Sequence, residues 1–197
     1  MRNRLLQTRL IVFGFLVAAI AVTGWLFLPN IKIKFTTNYS WSDAAAKEKF
    51  LAPARIVIPS IGVDAAVERV GILPNGSMDV PADQDDTAWY SLGPRPGEIG
   101  SAVIDGHVDG ENNTTAVFAN LHNLKPGDQI RVHDGQGGVV TFAVRESRIY
   151  APDADATEIF TSADGIAHLN LITCQGIWDK SAQSYTQRLV VFADKLD

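Results

Sequence analysis

Short runs of alternating apolar and polar residues, separated by glycine and proline, fill the chain from residue 54 to the end of the sequence. Alternation over roughly four to eight residues is typical of a half-buried β-strand. Eight runs fit this pattern, at 55–58, 65–70, 77–80, 101–105, 129–133, 139–150, 167–173 and 187–193. Two short helices are predicted at 114–121 and 156–160. So many short strands predict an all-β barrel or sandwich, built as one domain over 54–197.

The N-terminal part has a different pattern, because residues 10–31 form an apolar run without a charged side chain. As a helix, such a run crosses about 30 Å of hydrocarbon, and it exceeds the apolar region of a cleaved signal peptide. Three arginines precede it and only two lysines follow closely, which favours an N-terminus in the cytoplasm. We therefore predict a cytoplasmic basic segment at 1–9 and a single-pass transmembrane signal anchor at 10–31. The rest of the chain would lie outside the cytoplasm, at the cell membrane.

We predict that residues 32–53 form a stalk between the anchor and the β-rich domain. Ser42 or Asp43 would cap a short helix through 44–49, where good helix formers follow one another. The segment has too little apolar surface to form a domain of its own.

Charge is divided unevenly along the chain. Residues 1–51 carry seven basic and two acidic side chains, whereas residues 52–197 carry ten and twenty, a net charge near −10. Such a domain is repelled by phosphate backbones, so we expect no nucleic-acid partner.

Cys174 is the only cysteine, and it follows the apolar strand at 167–173. A thiol at the end of a strand is held by the sheet and can face a cleft, where its thiolate would act as a nucleophile. The alternative is a small buried hydrophobe, since free cysteines are among the most buried residues. A lone thiol outside the cytoplasm cannot form an internal disulfide, so its presence there favours a chemical role.

His107 ends another strand, within Asp105-Gly106-His107-Val108-Asp109-Gly110. The spacing of the two aspartates resembles the opening of an EF-hand calcium loop, but the twelfth position is Ala116 instead of glutamate. The four histidines and the cysteine show no paired short spacing typical of zinc. No metal or other cofactor is therefore expected, although calcium regulation stays an open alternative. His122, His133 and His168 receive no chemical role.

Arg188 interrupts the apolar strand at 187–193, where burying a guanidinium is costly unless an anionic group meets it. A surface-facing position is the simpler interpretation. The strand nevertheless follows the cysteine strand after the loop 175–184, so the two would form a hairpin with Arg188 near Cys174. A guanidinium there would stabilise an oxyanion or lower the pKa of the thiol.

His107, Thr173-Cys174 and Arg188, in this order behind an N-terminal anchor, resemble the sortase family. Further pieces between Arg55 and Ala193 match the family: Ala88-Trp89-Tyr90, Pro96-Gly97-Glu98-Ile99-Gly100, Val117-Phe118-Ala119-Asn120-Leu121 and Lys125-Pro126-Gly127-Asp128. The segments Gly106-His107-Val108-Asp109 and Thr173-Cys174-x-Gly176 are most similar to class F sortases, with class E second. One departure is Asn170, where the family's Thr-Leu-x-Thr-Cys motif begins with threonine, and this leaves the subclass and target motif open.

The resemblance implies an eight-stranded barrel that cleaves a sorting signal similar to Leu-Pro-x-Thr-Gly and joins the new carboxyl group to an amine. In this assignment Cys174 is the nucleophile, His107 the general acid and base, and Arg188 the oxyanion donor. The amine would belong to a lipid-linked peptidoglycan precursor or to a pilin lysine.

Two other functions remain at the sequence level. A membrane-anchored cysteine peptidase or thiol acyltransferase would use the same three residues with water as the acceptor. A non-catalytic anchored β-domain would bury Cys174 as an inert residue. An L,D-transpeptidase is disfavoured, because Ile172-Thr173 stands where that class has Ser-x-Gly.

Overall fold

The computed structural model describes residues 50–110, 112 and 114–197. Its strands are β1 (Pro53–Ile58), β2 (Val63–Val70), β3 (Thr87–Tyr90), β4 (Gly100–Gly106), β5 (Gln129–Asp134), β6 (Val139–Tyr150), β7 (Ala167–Asp179) and β8 (Ser184–Lys195). Among the described residues, one α-helix, α1 (Thr157–Phe160), lies between β6 and β7, and 3-10 turns occupy Pro59–Ile61 and Leu121–Asn123.

The eight strands form a closed barrel in the order β1-β2-β3-β4-β7-β8-β6-β5. The β2–β3 and β4–β7 pairs are parallel and the other pairs are antiparallel. Closure pairs both edges of the sheet, so no strand edge is left open along the barrel. The all-β class predicted from the alternating pattern is confirmed. Of the barrel and the sandwich that the pattern left open, the structure shows the eight-stranded barrel that the family resemblance implied.

The main core fills the barrel interior, and its members come from every second position of the strands. Ile104 of β4, Leu171 of β7 and Val191 of β8 are fully buried there, together with Phe118 from the segment after β4. Since side chains alternate across a strand, the residues between these positions face outward.

A second apolar cluster covers part of the barrel's outer face. Its buried members are Val103, Ile159, Val190 and Phe192, and its partly buried members are Met78, Tyr90, Tyr150, Ala156, Phe160 and Ile172. Helix α1 lies over this face and packs on it through Ile159, which is 5% exposed. The outer surface of β4, β7 and β8 therefore carries an apolar floor, formed by Val103, Ile172, Val190 and Phe192, with a helix along one side.

Two of the predicted elements are wrong. Residues 77–80 form only an isolated bridge, between Ile72 and Met78, and the missing strand is β3. The alternating pattern fails for β3 because Thr87, Ala88 and Trp89 are all buried, so no polar face marks it. The helix predicted at 114–121 is a series of turns that ends in the 3-10 turn Leu121–Asn123. The short helix predicted at 156–160 is present as α1.

The segments predicted as the basic N-terminus, the anchor and most of the stalk, residues 1–49, lie outside the described residues. Within the part of the chain that is described, no helix has the length and apolar character needed to cross a membrane.

Candidate active site

Cys174 and Arg188 are direct partners in the antiparallel ladder between β7 and β8. Residues opposite each other in such a ladder have Cβ atoms about 4.5–5.5 Å apart. Their chain neighbours Thr173 and Leu189 are buried, 2% and 5% exposed, so Cys174 and Arg188 point to the outer face of the barrel. The hairpin predicted from sequence places the thiol beside the guanidinium, although its strands are longer and its loop shorter than expected.

A β-bulge follows Cys174 immediately, because the β7–β8 register shifts between Gln175 and Trp178. Gly176 has a φ of +88°, in the left-handed region that favours glycine. A Cβ atom there would lie 2.5 Å from the hydroxyl oxygen of Thr186, which accepts a hydrogen bond from the backbone N–H of Ile177. The glycine two residues after the cysteine is thus required by the bulge.

His107 follows the last residue of β4 and lies at the same end of the barrel as Cys174. Strand β4 runs parallel to β7 with Asp105 opposite Ile172, so both chains leave the sheet in the same direction. The buried Thr173 hydroxyl donates a hydrogen bond of 2.7 Å to the carbonyl of Gly106. This bond ties the residue before Cys174 to the residue before His107, which gives Thr173 a positional role.

The imidazole of His107 contacts the segment that precedes β3. Its Nε2 lies 3.0 Å from the carbonyl oxygen of Pro81. A carbonyl oxygen only accepts hydrogen bonds, so Nε2 carries the hydrogen and Nδ1 is the ring nitrogen available to accept a proton. The backbone of His107 is held as well, since its carbonyl accepts from the N–H of Phe118 at 2.9 Å.

The guanidinium of Arg188 is oriented by the hairpin itself. Its Nη1 donates to the carbonyl oxygens of Tyr185 and Gln187, each at 3.0 Å, and Nη2 donates to the Ser184 hydroxyl at 3.1 Å. An arginine has five N–H groups, more than these three contacts use.

Burial and charge act in opposite directions on the Cys174 thiol. Burial raises its pKa above the usual value, and the neighbouring Arg188 lowers it, while Asp105 and Asp109 raise it further. The net effect is upward, so the protonated thiol predominates at neutral pH. A nucleophilic role would therefore proceed through the minor thiolate form.

Asp109 and Tyr185 join the β4 end of the site to β8. The Tyr185 hydroxyl donates to Oδ2 of Asp109 at 2.5 Å. This hydrogen bond, with burial, raises the pKa of Tyr185 to about 12. Sequence reasoning left both residues without a role, because they are 76 positions apart and neither belongs to a motif that indicates the pairing.

Asp105 is a second residue that the sequence analysis left without a role. Burial raises its pKa from 3.8 to about 6, although His107, the N–H of Gly106 and Arg188 act in the opposite direction. The available signal in the sequence was a carboxylate that directly follows the apolar residues Ala102, Val103 and Ile104 in β4.

Two adjoining cavities open at this end of the barrel and share Asp109. One, of about 430 Å³, is lined by Cys174, His122 and Tyr185 among others. The other, of about 680 Å³, is lined by His107 and the segment around Asp83. The structure therefore adds His122 to the surroundings of the thiol, a residue to which the sequence assigned no chemistry.

His168 lies away from these cavities and is buried. Its ring nitrogens contact carboxylate oxygens of Asp194 at 2.7 Å and of Asp164 at 3.0 Å. The two carboxylates make this histidine a structural link between β7, β8 and the loop before β7. Among the described residues, no group of three or more histidine, cysteine, aspartate or glutamate side chains is arranged to hold a metal ion.

Comparison with known proteins decides the family. A family model described as a sortase domain matches residues 56–196. The chain belongs to the sortase family. Sortases are cysteine transpeptidases. Among curated protein sequences, none gives a significant match to this chain.

Solved sortase structures share the fold. Sortase C1 of Streptococcus agalactiae has a TM-score of 0.58 and 21% identity, over 73% of this chain and 67% of that one. A lid mutant of sortase A from Corynebacterium diphtheriae has a TM-score of 0.58 and 23% identity, over 78% and 74%. Sortase C from Clostridium perfringens has a TM-score of 0.56 and 20% identity, over 75% and 71%. These neighbours belong to classes C and A.

Proposed function

We propose that this sortase cleaves a Leu-Pro-x-Thr-Gly-like sorting signal and transfers the acyl group to an amine, with Cys174, His107 and Arg188 as its catalytic residues. The observation that carries the proposal is the β7–β8 register, which sets Cys174 opposite Arg188 on the outer face of the barrel. The Thr173–Gly106 hydrogen bond supports the proposal as well, since it ties the residue before Cys174 to the residue before His107.

Cys174 would attack the threonine carbonyl of the sorting signal. A bond forms between Sγ and the carbonyl carbon, and collapse of the tetrahedral intermediate breaks the Thr–Gly peptide bond to leave a thioacyl enzyme. Because burial raises the pKa of the thiol, the thiolate is a minor form, but sulfur is nucleophilic enough to react through it.

His107 would move the protons of both half-reactions. As an imidazolium it protonates the departing glycine amine, and as a neutral imidazole it takes a proton from the incoming amine. Such transfers contribute about 10²–10⁴-fold each. The Nε2 contact with Pro81 fixes the ring orientation, so Nδ1 would face the exchange.

Arg188 would hold the developing oxyanion. The contacts with Tyr185, Gln187 and Ser184 restrain its guanidinium beside the ladder, and its remaining N–H groups would donate to the oxygen. Loss of an oxyanion donor typically costs about 3–4 kcal/mol in transition-state stabilisation.

The outer apolar cluster supports a peptide substrate with leucine and proline ahead of the cleaved bond. Ile172 lies two residues before Cys174 on the same face of β7, beside Val103 and Val190. An extended peptide repeats at about 3.3 Å per residue, so its apolar residues would reach this floor while its threonine lies at the thiol. Helix α1 would form one wall.

A lipid-linked peptidoglycan precursor or a pilin lysine would supply the amine, and residues 10–31 would anchor the enzyme at the cell membrane with its barrel outside. Anchoring both reactants to one surface raises their effective concentration without new contacts.

We further assign the enzyme to class F, with class E second. The support comes from Gly106-His107-Val108-Asp109 and Thr173-Cys174-x-Gly176. Identities of 20–23% to the neighbours of classes C and A reflect a common fold and do not bear on subclass.

The test is an acyl-transfer assay with a Leu-Pro-x-Thr-Gly peptide and an amine, followed by mass spectrometry. The wild type is expected to give the amide, and Cys174→Ala none. Arg188→Lys should be strongly impaired, because an ammonium cannot reproduce the guanidinium fork.

Other outcomes separate the alternatives. Hydrolysis of the peptide without amide formation would favour a cysteine peptidase. Full turnover by Cys174→Ala would remove the nucleophile assignment, and a thiol that resists small alkylating reagents in the folded protein would favour a non-catalytic domain.

A further inference from the structure

Asp105 is a half-buried carboxylate next to the proposed catalytic residues. It is the second-last residue of β4, and the registers place it opposite Ala88 of β3 and Ile172 of β7. Its neighbours Ile104 and Gly106 are buried, and Ile104 belongs to the interior core, so Asp105 lies on the outer face. Ile172 precedes Cys174 by two positions on that same face.

The charged and titratable groups around Asp105 come from several elements. On β4 and beyond it these are His107 and Asp109, on β7 Cys174, and on β8 Arg188. Strand β3 contributes Thr-Ala-Trp-Tyr, which carries no charge, and Glu158 of α1 is bonded to Arg148 and Tyr150. A carboxylate, an imidazole, a thiol and a guanidinium thus form one cluster.

We propose that Asp105 is a positioning residue that acts through charge, holding Cys174 in its thiol form by opposing the effect of Arg188. The proposal rests on Cys174 being the nucleophile. Arg188 favours the thiolate and Asp105 disfavours it, so the reactivity of the sulfur depends on whether the carboxylate is charged. Because the pKa of Asp105 is raised to about 6, its charge is present at neutral pH and is lost on mild acidification.

Keeping Cys174 in its thiol form would protect it from oxidation outside the cytoplasm. The thiol form resists oxidation better than the thiolate does. A peptide lying over the outer face would exclude water from Asp105, which favours its neutral form. The negative charge that opposes the thiolate would then disappear when substrate is in place.

Alkylation by iodoacetamide tests the proposal, and Cys174 is the only site it can report because the chain has one cysteine. The detergent-solubilised full chain would be measured between pH 5 and 9 as wild type, Asp105→Asn and Asp153→Asn. Asp153 is an exposed residue of the β6–β7 loop and serves as the matched control. Loss of a nearby negative charge should make Asp105→Asn react about threefold to tenfold faster than wild type at pH 7.

The pH profile separates a charge effect from a structural one. The logarithm of the rate should rise less steeply between about pH 5 and 7, where Asp105 gains its charge, in the wild type and in Asp153→Asn than in Asp105→Asn, and the profiles should run parallel just above this range. Equal profiles for wild type and Asp105→Asn, or slower alkylation of the variant, would overturn the proposal.

Asp105→Ser provides a second neutral side chain should the asparagine variant not fold, and it must shift the profile in the same direction. Alkylation needs neither peptide nor amine, so it is independent of the acyl-transfer assay. A shifted profile without amide formation would defeat the proposed function and leave the influence of Asp105 on the thiol intact.

Discussion

At the scale of single residues, the site combines two histidines with one thiol. His122 lines the cavity that contains Cys174, whereas His107 lines the adjoining cavity and contacts Pro81. His122 is exposed, and its Nδ1 lies 3.1 Å from the carbonyl of Ala119 in its own turn. We assign the acid–base role to His107, because its backbone is anchored between β4 and Phe118.

The two histidines form a matched pair for mutagenesis. His107→Gln should lower the rate of amide formation by about 10²–10⁴-fold, the usual contribution of general acid–base catalysis. His122→Gln should stay within about twofold of wild type. Initial rates with a peptide and an amine measure both, and a large loss in His122→Gln with little loss in His107→Gln would reverse the assignment.

Asp105 also makes stability depend on pH. An acid whose pKa is raised by folding binds its proton more tightly in the folded chain. Its stabilising contribution is complete below its unfolded value of 3.8 and is lost as the pH rises through about 6. A difference of roughly two pKa units corresponds to about 2–3 kcal/mol.

Asp105→Asn should therefore unfold with a free energy about 2–3 kcal/mol higher than wild type at pH 7, and the gap should nearly close at pH 4. Urea unfolding of both proteins at several pH values measures this. A constant gap across this range would show that Asp105 does not titrate with a raised pKa.

At the scale of the elements, the β7–β8 hairpin does most to build the site. Its ladder pairs Cys174 with Arg188, and its bulge after Gln175 turns the strand at Gly176. Thr186 packs where a Cβ of residue 176 would lie and holds the bulge through the N–H of Ile177. Two requirements therefore meet at Gly176, a positive φ and the absence of a side chain.

Gly137 has a positive φ but no close neighbour, so it shows the effect of φ alone. It lies in the β5–β6 turn with a φ of +97° and no atom within 4 Å of a Cβ position. Gly137→Ala should cost about 1 kcal/mol from backbone strain alone, and Gly176→Ala should cost more, about 2–3 kcal/mol, because Thr186 must also move. Denaturant unfolding gives both values, and equal costs would mean that the hairpin accommodates the side chain.

At the scale of the whole molecule, barrel closure assembles the site from distant parts of the chain. The parallel pairing of β4 with β7 brings residues 100–105 beside residues 167–172, and β8 then lies along the other edge of β7. Helix α1 and the outer apolar cluster complete a surface next to Cys174.

The proposed anchor belongs to this scale as well. The full-length chain should sediment with membranes and resist extraction by high salt, whereas a chain that lacks residues 1–31 should appear in the soluble fraction, since an apolar helix of this length inserts almost irreversibly. Immunoblots of the fractions measure this. Salt-released full-length protein would argue against an anchor.

Much of the architecture was predictable from local sequence. The alternation of apolar and polar residues identified seven of the eight strands, and the order of His107, Cys174 and Arg188 indicated the family. Strand β3 was missed because both its faces are covered, so its burial comes from the barrel and leaves no alternating pattern.

The sequence by itself determined the class of fold and indicated the candidate reactive side chains, because strand periodicity and residue chemistry are local properties. Only the tertiary structure decided the environment of the thiol: the charge of Asp105, the Asp109–Tyr185 hydrogen bond and the position of His122. Desolvation and charge act through space between segments far apart in the chain, so their effect on a pKa depends on how the barrel closes.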